Sequence, residues 1–144
     1  MKYINEVKLN FPAKSANEAF ARSAVAAFTM QLDPTISQLA DIKTSVSEAV
    51  TNSIVHGYKG AGGVIYITVR ISDDNVLSVK IRDKGCGIED IEKAMEPLFT
   101  TGGEERAGLG FAVMQSFMDS IKVSSKVGKG TTVTLKKKIT KDDP

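Results

Sequence analysis

Two β-rich runs, Val64 to Ile71 and Val76 to Ile81, lie either side of Ser72-Asp73-Asp74-Asn75, and no other feature limits this chain's fold as much. A four-residue link of Ser, Asp and Asn between two such runs predicts a hairpin, so the strands must pair antiparallel. The pattern recurs near the end, where Ile121 to Val127 and Thr131 to Ile139 flank Gly128-Lys129-Gly130. A fifth strand is expected at the start: Tyr3, Asn5, Val7, Leu9 and Phe11 form one face, and Pro12 stops it.

Helices fill the intervals. From Ser15 to Leu32 the residues Ala16, Ala19, Phe20, Ser23, Ala27 and Met30 follow helical spacing, with Ser15 and Glu18 in a capping-box pattern and Asp33-Pro34 as the stop. A second helix is expected from about Thr35 to His56, burying Leu39, Ile42, Val46, Ala49 and Ser53 and ending at Gly57 in the C-terminal glycine position. A short helix over Asp90 to Met95 and one from Leu109 to Met118 follow, with a mobile loop from Glu96 to Gly108 between them. The order β, αα, ββ, α, ββ predicts an α/β fold, a two-layer sandwich with a mixed, mostly antiparallel sheet and its helices on one face.

Composition narrows the class. At 144 residues and 42% hydrophobic content, residues 1–140 read as one domain, with 141–144 as a tail. The formal charge of +2 argues against a nucleic-acid partner, and Lys136-Lys137-Lys138 reads as a solvated strand end. The single Cys86 has no companion for a disulfide or a metal site, which fits a reducing compartment and a cytoplasmic location. Neither a signal peptide nor an apolar run of about 18 residues is visible, so no membrane role is expected.

Two phosphate motifs fail on inspection. Gly128-Lys129-Gly130-Thr131 lacks the spacing of a P-loop, since Gly-Lys is not followed directly by Ser or Thr and Val123 stands where the first glycine belongs. Gly108-Leu109-Gly110 lacks the third glycine of a dinucleotide fingerprint, with Val113 in its place.

Three other segments carry the chemistry: SEAVTNSIVHG over 47–57, which sets Glu48, Asn52 and His56 on one helical stripe; DKGCG over 83–87; and RAGLGF over 106–111. Taken singly, the asparagine can cap or face water, Asp-x-Gly-x-Gly can be a plain turn, and Gly-Leu-Gly can be a helix entry. Their conjunction in this order resembles the GHKL superfamily of ATP-binding (Bergerat) domains, shared by histidine kinases, gyrase B, Hsp90 and MutL. Glu-x-x-x-Asn is similar to its N box, DKGCG to its G1 box and RAGLGF to its G2 box. EAVTNSIVHGY, EPLFTT and the terminal GKGTTV narrow the resemblance to the sporulation anti-sigma factors that are serine protein kinases.

The resemblance implies a homodimer that binds ATP and Mg²⁺, holds the sporulation sigma factor F and phosphorylates an anti-anti-sigma factor on serine. It makes Glu48 the general base and Arg106 a phosphate contact with a catalytic role. It places Asn52, His56, Asp83, Gly85, Gly87, Thr100, Thr101, Gly108, Leu109, Gly110 and Thr131 around the nucleotide, and Arg22 on the sigma-facing helix. The residue chemistry agrees. The Asn52 side-chain oxygen suits a hard cation. A carboxylate at Asp83 can accept from the exocyclic amine of adenine. Gly108 and Gly110 at a helix start would point N–H groups at phosphates, and Arg106 offers a bidentate fork. His56 stands equally as a packed structural residue, and Thr131 alone would be structural. The segment ending in Glu104-Glu105-Arg106 resembles the superfamily's ATP lid. The rival readings are a catalytically weak, nucleotide-dependent sigma-sequestering module and a detached histidine-kinase catalytic domain.

Overall fold

The computed structural model describes residues 2–95 and 103–141, the side chains of 103–108 excepted. Its five strands are β1 (Tyr3–Pro12), β2 (Val64–Ser72), β3 (Val76–Asp83), β4 (Ser120–Lys126) and β5 (Gly130–Lys138), and its helices are α1 (Ala16–Thr29), α2 (Ile36–Asn52), α3 (Ile91–Met95) and α4 (Gly103–Phe117). They form one sheet in the order β1-β2-β3-β5-β4. Every pairing among the described residues is antiparallel.

Strand periodicity explains the two layers. Ile65, Ile67, Val69 and Ile71 of β2 are buried, as are Leu77, Val79 and Ile81 of β3 and Val133 and Leu135 of β5. These residues share one sheet face, where each large side chain contributes about 1.5–3 kcal/mol by leaving water. The α2 residues Ile42, Val46, Ala49 and Val50 and the α4 residues Phe111 and Met114 join them in one core. The opposite face stays polar. In the register, Tyr66 lies opposite Arg82 and Thr68 opposite Lys80, and the Arg82 guanidinium sits 5.0 Å above the Tyr66 ring.

Both hairpins therefore form where expected, and the departures lie in the helices. α1 buries Ala21, Val25, Ala26 and Thr29, whereas Ala16, Ala19, Phe20, Ser23, Ala27 and Met30 face outward. In an alanine-rich helix the small side chains carry too little apolar area to fix the rotation, and the larger apolar Val25 goes inward with Thr29. Ser15 is itself in a helical conformation and makes no side-chain cap, so that capping box is absent. The box that does form lies at α2, where the Thr35 hydroxyl accepts from the Gln38 backbone and the Gln38 side chain accepts from the Thr35 N–H.

α2 does not run regularly to Gly57. Residues Ser53–Gly57 form a π-helical turn in which the Tyr58 N–H donates to the Ser53 carbonyl at 2.8 Å. The extra residue in this turn takes His56 out of the i+4 register with Glu48 and Asn52. Gly57 is not in the left-handed conformation of a helix-ending glycine; Lys59 takes it instead, at φ 52°. α4 likewise begins at Gly103, six residues before the expected start, since Glu104, Glu105, Arg106 and Ala107 are good helix formers whose preference outweighs two glycines at about 1 kcal/mol each. Part of the expected 96–108 loop is thus helical, and the remainder, with Thr100 and Thr101, lies outside the described residues.

Lys136-Lys137-Lys138 is not uniformly solvated. Lys137 turns inward, its side chain only 11% exposed, and donates to the Phe117 carbonyl at 2.6 Å at the end of α4.

Candidate functional site

A cleft of about 990 Å³ opens between the α2 end, the turn after β3 and α4, lined by Asn52, Ser53, His56, Gly57, Asp83, Gly87, Ile88, Phe111, Ser125 and Thr131 among others. Asp83 forms its floor. It ends β3 and is 4% exposed, yet it is well provided with donors. The Ser53 hydroxyl donates to Oδ2 at 2.8 Å, and the N–H groups of Gly85 and Thr131 donate to Oδ1 at 3.0 and 3.3 Å. Such donors hold a buried carboxylate in place and compensate its desolvation.

Close backbone packing explains the glycines around it. A Cβ on Gly85 would stand 2.2 Å from the Gly57 carbonyl oxygen, and one on Gly57 would stand 2.8 Å from Asp83 Oδ2. Gly87 has φ 79°, and a Cβ there would meet the Lys126 carbonyl oxygen at 2.3 Å. The DKGCG turn is thereby pressed between the π turn and the β4–β5 turn, with Cys86 N–H donating to the Gly57 carbonyl at 2.9 Å and Gly128 N–H to the Cys86 carbonyl at 2.8 Å.

On the opposite wall, α4 approaches α2 closely at Gly110. A Cβ on Gly110 would lie 3.1 Å from both Glu48 Oε2 and Asn52 Nδ2. The structure thus brings together Glu48, Asn52 and Gly110, and separately Asp83, Gly85, Gly87 and Thr131. Asn52 Nδ2 is buried without a hydrogen-bond partner among the described residues. A buried orphan amide at the edge of a cleft is costly unless something polar is meant to meet it. Together with the acceptors on the floor, it fits a polar, amine-bearing and anionic ligand such as a nucleotide.

The remaining expected residues divide. His56 lines the cleft from the π turn. Leu109 is 52% exposed on α4. Gly108 and Gly110 lie inside α4 rather than at its start, so their N–H groups do not form the helix N-terminus expected for phosphates. The side chain of Arg106 lies outside the described residues. Arg22 does not line the cleft; it is ion-paired with Glu18 at 3.7 Å and lines a second groove between α1 and α2 that Lys43, Ser47 and Glu48 share.

Three contributors escaped the sequence reading. Ser53 reads as a buried helix residue, yet its hydroxyl binds Asp83. Ser125 sits beside Thr131 at 2.8 Å. The Tyr58 hydroxyl donates to the Val64 carbonyl at 2.6 Å and accepts from the Lys84 N–H at 2.7 Å, tying the π turn to both sides of the β2–β3 hairpin.

The fold defines a histidine kinase-like ATPase domain, a class that binds nucleotide, and the family of that description matches residues 11–137. Similar proteins include the anti-sigma F factor of Thermoanaerobacter pseudethanolicus, 59% identical over 143 residues and 99% of both chains, and that of Clostridium acetobutylicum, 55% identical over 93% of this chain and 94% of the other. With such identity over nearly full length, the chain belongs to the anti-sigma F factor family of histidine kinase-like ATPases. Among solved structures, the RsbU and RsbW domains of a Mycobacterium tuberculosis protein share the fold with a TM-score of 0.68 at 19% identity, over 94% of this chain and 32% of that one. The histidine kinase domain of an Erythrobacter litoralis blue-light activated kinase does so with a TM-score of 0.56 at 20% identity, over 85% and 60%.

Proposed function

We propose that the chain is an ATP-dependent protein serine kinase that also holds the sporulation sigma factor F while ATP is bound, and that its phosphoryl acceptor is a serine of an anti-anti-sigma protein. The observation that carries this reading is the position of Glu48. It stands beside Asn52 on α2, with both against Gly110, while Asn52 lines the nucleotide cleft and Glu48 lines the groove between α1 and α2. A carboxylate between a nucleotide and a second, open groove is where an acceptor hydroxyl would be oriented. A module that only sequestered a partner would have no use for it.

In this reading the serine oxygen bonds to the γ-phosphorus as the bond to the β,γ-bridging oxygen breaks. ADP leaves, and the hydroxyl proton passes to Glu48. Asn52 would hold Mg²⁺ through its side-chain oxygen, adding no negative charge beside the phosphates. Asp83 would select adenine through its exocyclic amine, and the resemblance makes Arg106 the phosphate contact.

Arg22 and Lys43 give the α1/α2 groove a cationic lining suited to a partner protein. The sigma factor is assigned from the names of the similar proteins. The homodimer would use β1, whose outer edge pairs with no strand among the described residues. No helix among the described residues is long and apolar enough to cross a membrane, and the free Cys86 agrees with a cytoplasmic setting.

The test is incubation with γ-labelled ATP and the anti-anti-sigma protein. Acid-stable phosphoserine on the partner is expected. An acid-labile phosphoramidate would favour a histidine kinase, and no transfer alongside intact ATP-dependent sigma retention would leave only the sequestering module.

A further inference from the structure

Asp83, Thr131 and Ser125 stand abreast on three neighbouring strands: Asp83 pairs with Thr131 across β3 and β5, and Thr131 with Ser125 across β5 and β4. All three line the nucleotide cleft. Cross-strand partners place their Cβ atoms roughly 4.5–5.5 Å apart, so the row presents adjacent polar groups to whatever enters.

The hydrogens in this row can be assigned one by one. Ser125 Oγ lies 3.0 Å from the Gly130 carbonyl oxygen, which can only accept, so the single Ser125 hydroxyl hydrogen points there. Ser125 Oγ accepts from the Ile88 N–H at 2.7 Å. It also lies 2.8 Å from Thr131 Oγ1, a contact in which either oxygen can donate. With the Ser125 hydrogen on the carbonyl, Thr131 is the donor, and this is the arrangement that uses every contact, with one donated and two accepted bonds at Ser125. The Thr131 hydroxyl then has no hydrogen left for the cleft and can only accept there. Asp83 is acceptor-only when ionised, and its Oδ2 keeps acceptor capacity beyond the bond from Ser53.

We propose that Ser125 is a positioning residue for base selection: by taking the Thr131 hydrogen it turns Thr131 into a second acceptor beside Asp83, and the two together receive both hydrogens of an exocyclic amine such as that of adenine. This rests on the assignment of the cleft as a nucleotide site and adds to it a residue and a rule. A single acceptor at Asp83 rejects a base bearing an oxygen at that position but tolerates one methyl on the amine, because the methyl can turn away. Two acceptors leave no free N–H, so they reject the methylated amine as well. A cleft floor of two acceptors is also more hostile to a carbonyl, since neither can turn a hydrogen toward it.

The experiment measures equilibrium binding by calorimetry of ATP, N6-methyl-ATP and inosine triphosphate to the full chain and to Ser125→Ala, Ser125→Thr and Thr131→Val, with melting midpoints to confirm folding. The wild type should prefer ATP over N6-methyl-ATP by about tenfold, the factor carried by one buried hydrogen bond. Ser125→Ala releases the Thr131 hydrogen to face the cleft, so the ATP to inosine triphosphate preference should fall by about tenfold. Ser125→Thr keeps the hydroxyl and should restore the preference. Thr131→Val should erase the penalty for the N6-methyl group whether or not Ser125→Ala folds. Equal binding of ATP and N6-methyl-ATP by the wild type would overturn the two-acceptor rule. If Ser125→Ala weakened all three ligands by one common factor, Ser125 would be merely structural and its proposed role would be lost. A wild type that bound none of the three would instead remove the nucleotide-site reading itself.

Discussion

Gly57 backs directly onto the carboxylate of Asp83: a Cβ built on it would stand 2.8 Å from Oδ2 and 3.0 Å from Cγ. Its φ is not positive, so the position needs the absence of a side chain and not the conformational freedom of glycine. Gly57→Ala should therefore push Asp83 off its donors at an overpacking cost of about 1–3 kcal/mol, and weaken ATP binding by about tenfold. Calorimetric titration with ATP checks this, and an unchanged dissociation constant would mean that the carboxylate can move without loss.

Asp83→Asn should be more severe than its near-isosteric shape suggests. Ser53 Oγ, Gly85 N–H and Thr131 N–H all donate to this side chain, and an amide must turn its NH₂ toward at least one of them. Loss of a charge-assisted bond costs about 1.5–3 kcal/mol, so both ATP affinity and the melting midpoint should drop. An affinity equal to wild type would take Asp83 out of base recognition.

The sheet was legible because period-2 patterns and short polar links leave few alternatives, and the N box, G1 and G2 motifs were legible as residue types. What escaped depended on rotation, on backbone register and on hydrogens. Alanine-rich α1 offers no strong apolar side, so helical spacing groups Phe20 with Ala16 and Ser23 without telling that this side is exposed, Phe20 to 57%. The π turn at Ser53–Gly57 carries no sequence mark, yet it moves His56 out of the Glu48–Asn52 register. The glycines at 108 and 110 suggested a helix start, while the requirement at Gly110 is clearance from Glu48 and Asn52. No motif distinguishes Ser125 as the acceptor of the Thr131 hydrogen, because that follows only from three strands placed side by side.

Lys137 gives a stability prediction within a run of three like residues. Its ammonium donates to the Phe117 carbonyl at 2.6 Å, where a cation also favours the C-terminal end of α4, and lies 3.8 Å from Asp41 Oδ2. Lys137→Met keeps the packed stem and removes the donor, and should cost about 1.5 kcal/mol. The same change at Lys138, which is exposed, should leave urea unfolding unaltered. Equal effects at the two positions would show that Lys137 is not the anchor.

Arg22 tests the α1/α2 groove. Arg22→Glu reverses a charge that lines it and places a second carboxylate near Glu18, which is now the partner at 3.7 Å. Sigma binding, transfer to the anti-anti-sigma protein, or both should fall while ATP binding stays at the wild-type level. Retention of both partner activities would move the interface off this groove, and loss of ATP binding as well would indicate misfolding.

The pair Glu48 and Asn52 separates use of ATP from its retention. Both sit against Gly110, yet they open onto different cavities, Asn52 onto the cleft that holds Asp83 and Glu48 onto the α1/α2 groove. Glu48→Gln preserves length and helix propensity while removing the basic carboxylate. Nucleotide and sigma binding should persist, and phosphoryl transfer should fall by about 10²–10⁴-fold, the scale of a general base. Asn52→Ala removes the side-chain oxygen proposed for Mg²⁺ and should abolish Mg²⁺-dependent ATP binding, with any ATP-dependent sigma complex lost in consequence. A loose transition state asks little of a base, so a fall of only about tenfold in Glu48→Gln would assign Glu48 to orienting the serine hydroxyl instead of accepting its proton. Single-turnover transfer measured beside equilibrium ATP titration distinguishes these outcomes. Wild-type transfer by Glu48→Gln would end the catalytic assignment and return Glu48 to packing against α4.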